Sequence, residues 1–199
     1  MDIILASNNN GKIKEFKKIL AKFNINVIPM KDINFTEEIV EDGNSFFENA
    51  LIKAKTIHEF TNLPVISDDS GICVDYLNGE PGIYSARYYG LSGDNERNEL
   101  LIKLLEGVEN RKAHFHCSIV LYISKDEYYE FSGQVYGNVS EKIEGTNGFG
   151  YDSLFIPDGY IETFGILDTE IKNKISHRAI AISKLVEFFE NDFNNKWLS

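Results

Sequence analysis

The 199-residue sequence holds only two cysteines, Cys73 and Cys117, and both sit inside apolar runs. That placement reads as two buried thiols and argues against a disulfide framework or a cysteine-based metal site. Positive charge is scarce too, with 20 Lys and Arg against 31 Asp and Glu and a formal charge of −11. Sequence-independent binding to a nucleic-acid backbone needs a basic footprint, which this composition lacks. A small anionic substrate stays open if a few lysines gather locally and a cation assists. No apolar run approaches the ~18 residues of a membrane span, and Met1 to Ala6 leads straight into a strand with no basic leader region. No internal repeat, low-complexity tract or Pro/Ser-rich linker divides the chain. What is present, 43% hydrophobic and 13% aromatic residues, is the composition of a globular protein. A soluble, cytoplasmic protein is expected, without a membrane or nucleic-acid partner. Its length suits one large domain or one domain with two lobes.

Several stretches carry chemistry. Asp2 to Ala6 reads as a strand, Ser7-Asn8-Asn9-Asn10-Gly11 as a polar loop, and Lys12 as the opening of a helix with apolar positions Ile13, Phe16, Ile19, Leu20 and Phe23. Strand, glycine-containing loop and helix with an early lysine is the layout of a phosphate cradle. It is not a Walker A loop, so an ordinary turn capped by Ser or Asn fits the same residues. Asn26 to Pro29 reads as a second strand. The acidic loop Asp32 to Asp42 ends in Glu41-Asp42-Gly43, either hard oxygen ligands or a solvated turn. Ser45 and Glu48 have capping-box spacing and start a helix whose stripe is Phe47, Ala50, Leu51, Ala54 and Ile57. Glu48, Asn49, Lys53 and Lys55 fall outside that stripe.

The central stretch places Asp68-Asp69-Ser70-Gly71 between the apolar runs Val65-Ile66 and Ile72-Cys73-Val74, with the turn signal Asn78-Gly79 beyond. Adjacent carboxylates at a strand end need water or a cation. The stretch therefore reads either as a magnesium site or as a solvated acidic turn before a hairpin. A helix from Gly93-Asp94 carries Leu100, Leu101, Leu104 and Leu105 and stops at Gly107. Ala113 to Tyr122 and Tyr128 to Tyr136 form a hairpin, and Val139 to Ile143 and Ser153 to Ile156 read as short strands. His114 and His116 share a strand face, but with no third ligand nearby they read as structural. Gly145 to Asp152 contains glycines that allow close approach of a ligand and aromatic rings that can stack on one, or else is a flexible loop. Lys172, His177 and Arg178 concentrate positive charge before or within a C-terminal helix with the stripe Ala179, Ile182, Leu185, Val186 and Phe189.

Taken together, these clusters resemble the inosine triphosphate pyrophosphatase, or Ham1-like, family. The resemblance spans nearly the whole chain and rests on Ser7 to Glu15, Glu41 to Gly43 with Phe46, Glu48 to Ala50 and Lys53-Ala54, Ser67 to Gly71, Pro81 to Tyr88, Gly148 to Asp152, and Ser176 to Ala179. Asn8, where relatives often carry Gly, is the mildest variation. The resemblance implies an α/β fold: an elongated mixed sheet flanked by helices, with two lobes and a central cleft, as one domain over residues 1–199. It also implies hydrolysis of noncanonical purine nucleoside triphosphates (ITP, dITP, XTP) to monophosphate and pyrophosphate, with Mg2+ as cofactor and a homodimer as assembly.

By position, the resemblance makes Asp69 the proton acceptor that activates water, and Glu41 with Asp69 the metal ligands. It assigns Ser7, Asn8, Asn9, Asn10, Gly11, Lys12, Lys53 and Ser70 to the triphosphate or sugar. Phe149, Gly150, Tyr151, Asp152, Lys172, His177 and Arg178 go to base and sugar. A 6-oxo purine offers an acceptor to Arg178 and His177, whereas adenine would face donor with donor. Three other readings compete. An Asp-Ser-Gly aspartic protease wants an apolar residue where Asp68 stands. A Maf-like nucleotide pyrophosphatase would share the reaction but not the motifs at 148–152 and 176–178. A silent nucleotide-binding module leaves Asp69, Glu41 and the lysines unexplained.

Overall fold

A computed structural model describes residues 1–193 of the chain; the last six residues of the domain expected over 1–199 lie outside it. Six strands form one mixed sheet in the order β2-β1-β3-β4-β5-β6. They are β1 (Asp2–Leu5), β2 (Asn26–Pro29), β3 (Val65–Val74), β4 (Lys112–Ser124), β5 (Glu127–Val139) and β6 (Phe155–Pro157). β1 runs parallel to both β2 and β3, and β6 pairs antiparallel with the end of β5. Among the described residues five α-helices accompany the sheet: α1 (Asn10–Leu20), α2 (Phe46–Thr61), α3 (Asp94–Leu104), α4 (Thr169–Ile175) and α5 (His177–Phe188). The expected α/β class with a mixed sheet is what forms. No helix among the described residues is long and apolar enough to cross a membrane.

The described chain divides into two compact units. One contains residues 1–69, 118–132 and 181–193, and the other Ser70–Cys117 and Gly133–Ile180. The first packs Ile4, Val65 and Val120 of the sheet against Ala50, Ala54 and Ile57 of α2. Its helices α1 and α2 start where side chains replace missing backbone partners. Asn9 accepts from the Lys12 N–H and caps α1, and Ser45 accepts from Glu48 N–H and caps α2. The Glu48 carboxylate reaches back to the Asn44 N–H at 2.6 Å, one residue before the position a standard capping box uses. The second unit has its own core, in which Ile72, Leu101, Leu105, Phe115, Leu154, Phe155 and Phe164 are all buried.

Four local expectations change. β3 is a single strand through Asp68 and Asp69, not two apolar runs separated by a turn. The acidic side chains tolerate that position because each has a partner, as described below. Val139 ends β5, and residues 140–143 form no separate strand. The stretch read as preceding or opening the C-terminal helix carries a helix of its own, α4, separated from α5 at Ser176, whose extended backbone ends α4 and whose hydroxyl accepts from the Ala179 N–H in the first turn of α5. Asn49, read as lying outside the apolar stripe of α2, is fully buried.

Candidate active site

In the first unit the acidic and basic residues form two linked groups. Asp68 is 2% exposed, and both of its oxygens accept from the Lys12 ammonium, at 2.8 and 2.7 Å. Burying a carboxylate is strongly unfavourable unless a charge partner and hydrogen bonds come with it, and Lys12 supplies both. Asp69, one residue along β3, meets other partners. The Lys53 ammonium lies 3.2 Å from Glu41 and 3.9 Å from Asp69. The Asn49 amide donates to the second Asp69 oxygen at 3.2 Å. Burial pushes the Asp69 carboxyl above its ordinary value; Lys53 pulls it down, while Glu41 and Asp68 push it further up. A raised pKa makes a carboxylate a better proton acceptor near neutrality.

Asn49 does more than touch Asp69. Its side-chain oxygen accepts from the Gly43 N–H at 2.9 Å, so one buried amide joins the Glu41–Gly43 loop to Asp69. Gly43 has no room for a side chain, since a Cβ there would lie 2.7 Å from Glu48 Cβ and 2.8 Å from the Asn49 oxygen. Ser7, Asn8, Lys12, Glu41 and Lys53 line one concavity of about 350 Å³ in this unit. Asn9, Asn10 and Gly11 do not: Asn9 caps α1, the Asn10 side chain accepts weakly from Lys31 at 3.5 Å, and Gly11 is exposed.

In the second unit Ser70, Phe149, Gly150, Tyr151, Asp152, Lys172, His177 and Arg178 all line a single cavity of about 130 Å³. Asp152 is 4% exposed; one of its oxygens accepts both from the Lys172 ammonium and from the Phe149 N–H, the latter at 2.8 Å. This closes the 149–152 loop on itself. Gly148, at φ +80°, is required there, because a Cβ would fall 2.1 Å from that oxygen and 2.7 Å from the Lys172 nitrogen. The Phe149 ring is half exposed, with Lys172 and Arg178 at 5.5 and 5.6 Å from its centroid. Arg178 also donates to the Ser70 hydroxyl at 3.1 Å. The His177 ring stacks on Phe115 at 4.7 Å, which takes one of its faces. Tyr151 is buried with its hydroxyl donating to the Ser85 carbonyl at 3.1 Å, and burial raises that phenol to about 12.

Four contributors were not singled out from the sequence as site residues: Asn49, Asp94, Arg97 and Asn98. Arg97 and Asn98 are buried on the same helix as Leu101, which Leu105 caps. Polar residues in step with an apolar stripe are the signal that marks them. His114 and His116 take structural contacts, His114 against the Tyr136 ring and His116 with Gln134. Among the described residues no group of three His, Cys, Asp or Glu side chains could hold a metal by itself.

Comparison with known proteins follows the same motifs. The sequence model of the Ham1 family matches residues 3–188. The dITP/XTP pyrophosphatase of Listeria innocua is 48% identical over 186 residues, 92% of each chain, and that of Bacillus subtilis is 43% identical over 192 residues, 95% of this chain and 97% of the other. The solved structure of the Staphylococcus aureus Ham1 protein superposes with a TM-score of 0.91 at 39% identity, covering 96% of this chain and all of the other. A Ham1 protein from Coxiella burnetii gives 0.90 at 35% identity, covering 96% of this chain and 98% of the other.

Proposed function

Because the chain belongs to the Ham1 family, we propose that it hydrolyses noncanonical purine nucleoside triphosphates, such as ITP, dITP and XTP, to the monophosphate and pyrophosphate. The observation that carries this reading is the single cavity that gathers Ser70, Phe149, Lys172, His177 and Arg178. Phe149 offers a ring for stacking. Arg178, whose guanidinium is always protonated, donates but never accepts. A 6-oxo purine presents an acceptor to such a donor, and adenine presents its amino group instead, leaving polar groups unpaired.

In the first unit, Lys12 and Lys53 bring positive charge to phosphate oxygens, where charge neutralisation is most of the work of phosphoryl-type transfer. Asp69 accepts the proton of the water that attacks the α-phosphorus. The bond from that phosphorus to the bridging oxygen breaks, and pyrophosphate leaves. Asn49 fixes one Asp69 oxygen, which orients the carboxylate for this task. Glu41 and Asp69 would hold Mg2+. Both are hard oxygen donors, and in this structure they already share a cation, the Lys53 ammonium. The metal would add charge against the phosphate oxygens. A homodimer and a cytoplasmic location, where nucleotide pools are cleansed, belong to the same proposal.

The test is a panel of nucleoside triphosphates with magnesium, scoring pyrophosphate against orthophosphate. Pyrophosphate from ITP and XTP, with ATP poorly used, is expected. Orthophosphate release would overturn the reaction class.

A further inference from the structure

The loop that carries Phe149 is held from outside as well as by Asp152. Gly150 sits at φ +63°, and both of its backbone polar groups go to α3. Its N–H donates to Asp94 Oδ2 at 2.7 Å, and its carbonyl accepts from Asn98 Nδ2 at 3.0 Å. The same Asn98 nitrogen also donates to the Ser153 hydroxyl at 3.1 Å. One amide thus holds the chain on both sides of Tyr151 and Asp152. Asp94 and Asn98 are four residues apart, so they share one face of the first turns of the helix. Asp94 is itself restrained: its other oxygen accepts from Arg97, whose second guanidinium nitrogen donates to the Ala86 and Leu91 carbonyls at 3.0 Å each. Asn98 is 1% exposed and Arg97 6%, so two members of this network lie in the interior.

A peptide clamped at N–H and C=O by two side chains of one rigid helix has little freedom to rotate, and Phe149 is the residue immediately before it. Recognition groups misplaced by about an ångström lose discrimination, because binding contacts depend on position at that scale.

We infer that Asp94 and Asn98 are positioning residues that set base selectivity: by fixing the Gly150 peptide they hold the Phe149 ring and the Asp152–Lys172 pair in register. The inference rests on the reading of this cavity as the base pocket. It is distinct from catalysis, since neither residue belongs to the unit that carries Asp69.

The experiment compares ITP and GTP turnover in the full chain for Asp94→Asn, Asn98→Asp and Phe149→Ala, with melting temperatures for each. Asn98→Asp replaces the donor to the Gly150 carbonyl by an acceptor. Asp94→Asn halves the acceptor capacity at a side chain that is partly exposed and tolerates change. Both are expected to raise KM for ITP about tenfold, leave kcat within about threefold, and lower the ITP to GTP ratio of kcat/KM about fivefold. Binding of IMP, followed by calorimetry, should weaken in parallel. An unchanged ratio in Asp94→Asn, at a melting temperature equal to that of the parent, would overturn the inference. So would loss of kcat with KM and ratio intact. Phe149→Ala separates the two levels. If it too leaves the ratio untouched, the base-pocket reading fails; if it alone changes the ratio, only the clamp fails.

Discussion

Lys12 places its ammonium against both oxygens of Asp68, at 2.8 and 2.7 Å, and so joins the first turn of α1 to the middle of β3. Asp68 is therefore the partner of Lys12, the lysine proposed to meet phosphate, and not a second copy of Asp69. Replacing it removes a charge-assisted contact and leaves Lys12 without its orientation. Asp68→Asn should lower stability by about 1–3 kcal/mol, read as a lower urea midpoint at unchanged slope. It should also raise KM for the triphosphate by a larger factor than it raises the Kd of the monophosphate product. A midpoint equal to that of the parent would show that the pair holds nothing together.

Asn49 is fully buried with both ends of its amide engaged, by Gly43 and by Asp69. Asn49→Ala removes the acceptor of the Gly43 N–H and one donor to Asp69. The expected result is a fall in kcat of about 10- to 100-fold, with a stability loss of about 1–3 kcal/mol for the unsatisfied group. Asp69→Asn itself should lower kcat by about 10²- to 10⁴-fold, the range of a lost general base. Steady-state kinetics on ITP distinguishes the two, and equal rates in Asn49→Ala and the parent would deny Asn49 its orienting role.

Gly71 follows the acidic pair for a packing reason. A Cβ at this position would lie 2.3 Å from the Ser85 hydroxyl oxygen and 2.4 Å from the Gly82 carbonyl oxygen. Ser85 cannot withdraw, because its hydroxyl accepts from the Ile72 N–H at 3.0 Å and donates to that same carbonyl at 2.6 Å. Gly71→Ala should destabilise by about 1–3 kcal/mol through overpacking. Adding Ser85→Gly should not restore stability, since the Gly82 carbonyl still blocks the site. Full rescue by the double variant, in thermal melts, would place the strain on Ser85 alone.

These residues also show where sequence reasoning reaches and where it stops. Local rules carried the capping of α1 and α2, the Asn78-Gly79 turn and the apolar stripes, because the physics there is contained within a few neighbouring residues. The two acids of β3 read equally as a turn, because nothing in Val65 to Val74 reveals that Lys12, Lys53 and Asn49 arrive from elsewhere to neutralise them. The break at Ser176 stayed open for a similar reason: Lys172 to Arg178 could either precede or open the C-terminal helix, and only the backbone shows that the Ser176 hydroxyl meets the first turn of a new one. For Asn98 the polar residue within an apolar stripe signals burial but not its role, and for Asp94 there is no such signal, because their partner, Gly150, is more than fifty positions away.

Cys73 is partly buried, and burial, aided by the nearby Asp75 charge, raises its thiol from 9.0 to about 11. The thiolate is the reactive form, so alkylation of Cys73 at pH 8 should be slow in the native protein and fast in urea. The sign for stability follows from the same shift. Below pH 9 the thiol is protonated in both states and has no effect. Between about 9 and 11 the unfolded chain loses the proton first, so stability falls as pH rises. Cys73→Ser should flatten that part of the curve. An alkylation rate that turns over near pH 9 in the native protein would contradict the raised value.

Glu41 and Asp69 make the last prediction concrete, because they are tied to Lys53 at 3.2 and 3.9 Å and no third acid of their kind completes a cage among the described residues. Two protein carboxylates alone bind magnesium weakly, and magnesium sites of this type are completed by substrate phosphates. Affinity for the metal should therefore depend on the nucleotide. Chelation with EDTA should stop turnover, and added magnesium should restore it. Glu41→Gln should raise the magnesium concentration for half-maximal activity about tenfold, the range expected when a metal's protein ligation is weakened. Without nucleotide, titration calorimetry of the parent with magnesium alone should show only weak binding, and adding an unhydrolysable ITP analogue should tighten it. Tight magnesium binding in the absence of nucleotide, unaffected by Glu41→Gln, would show that the metal is held elsewhere.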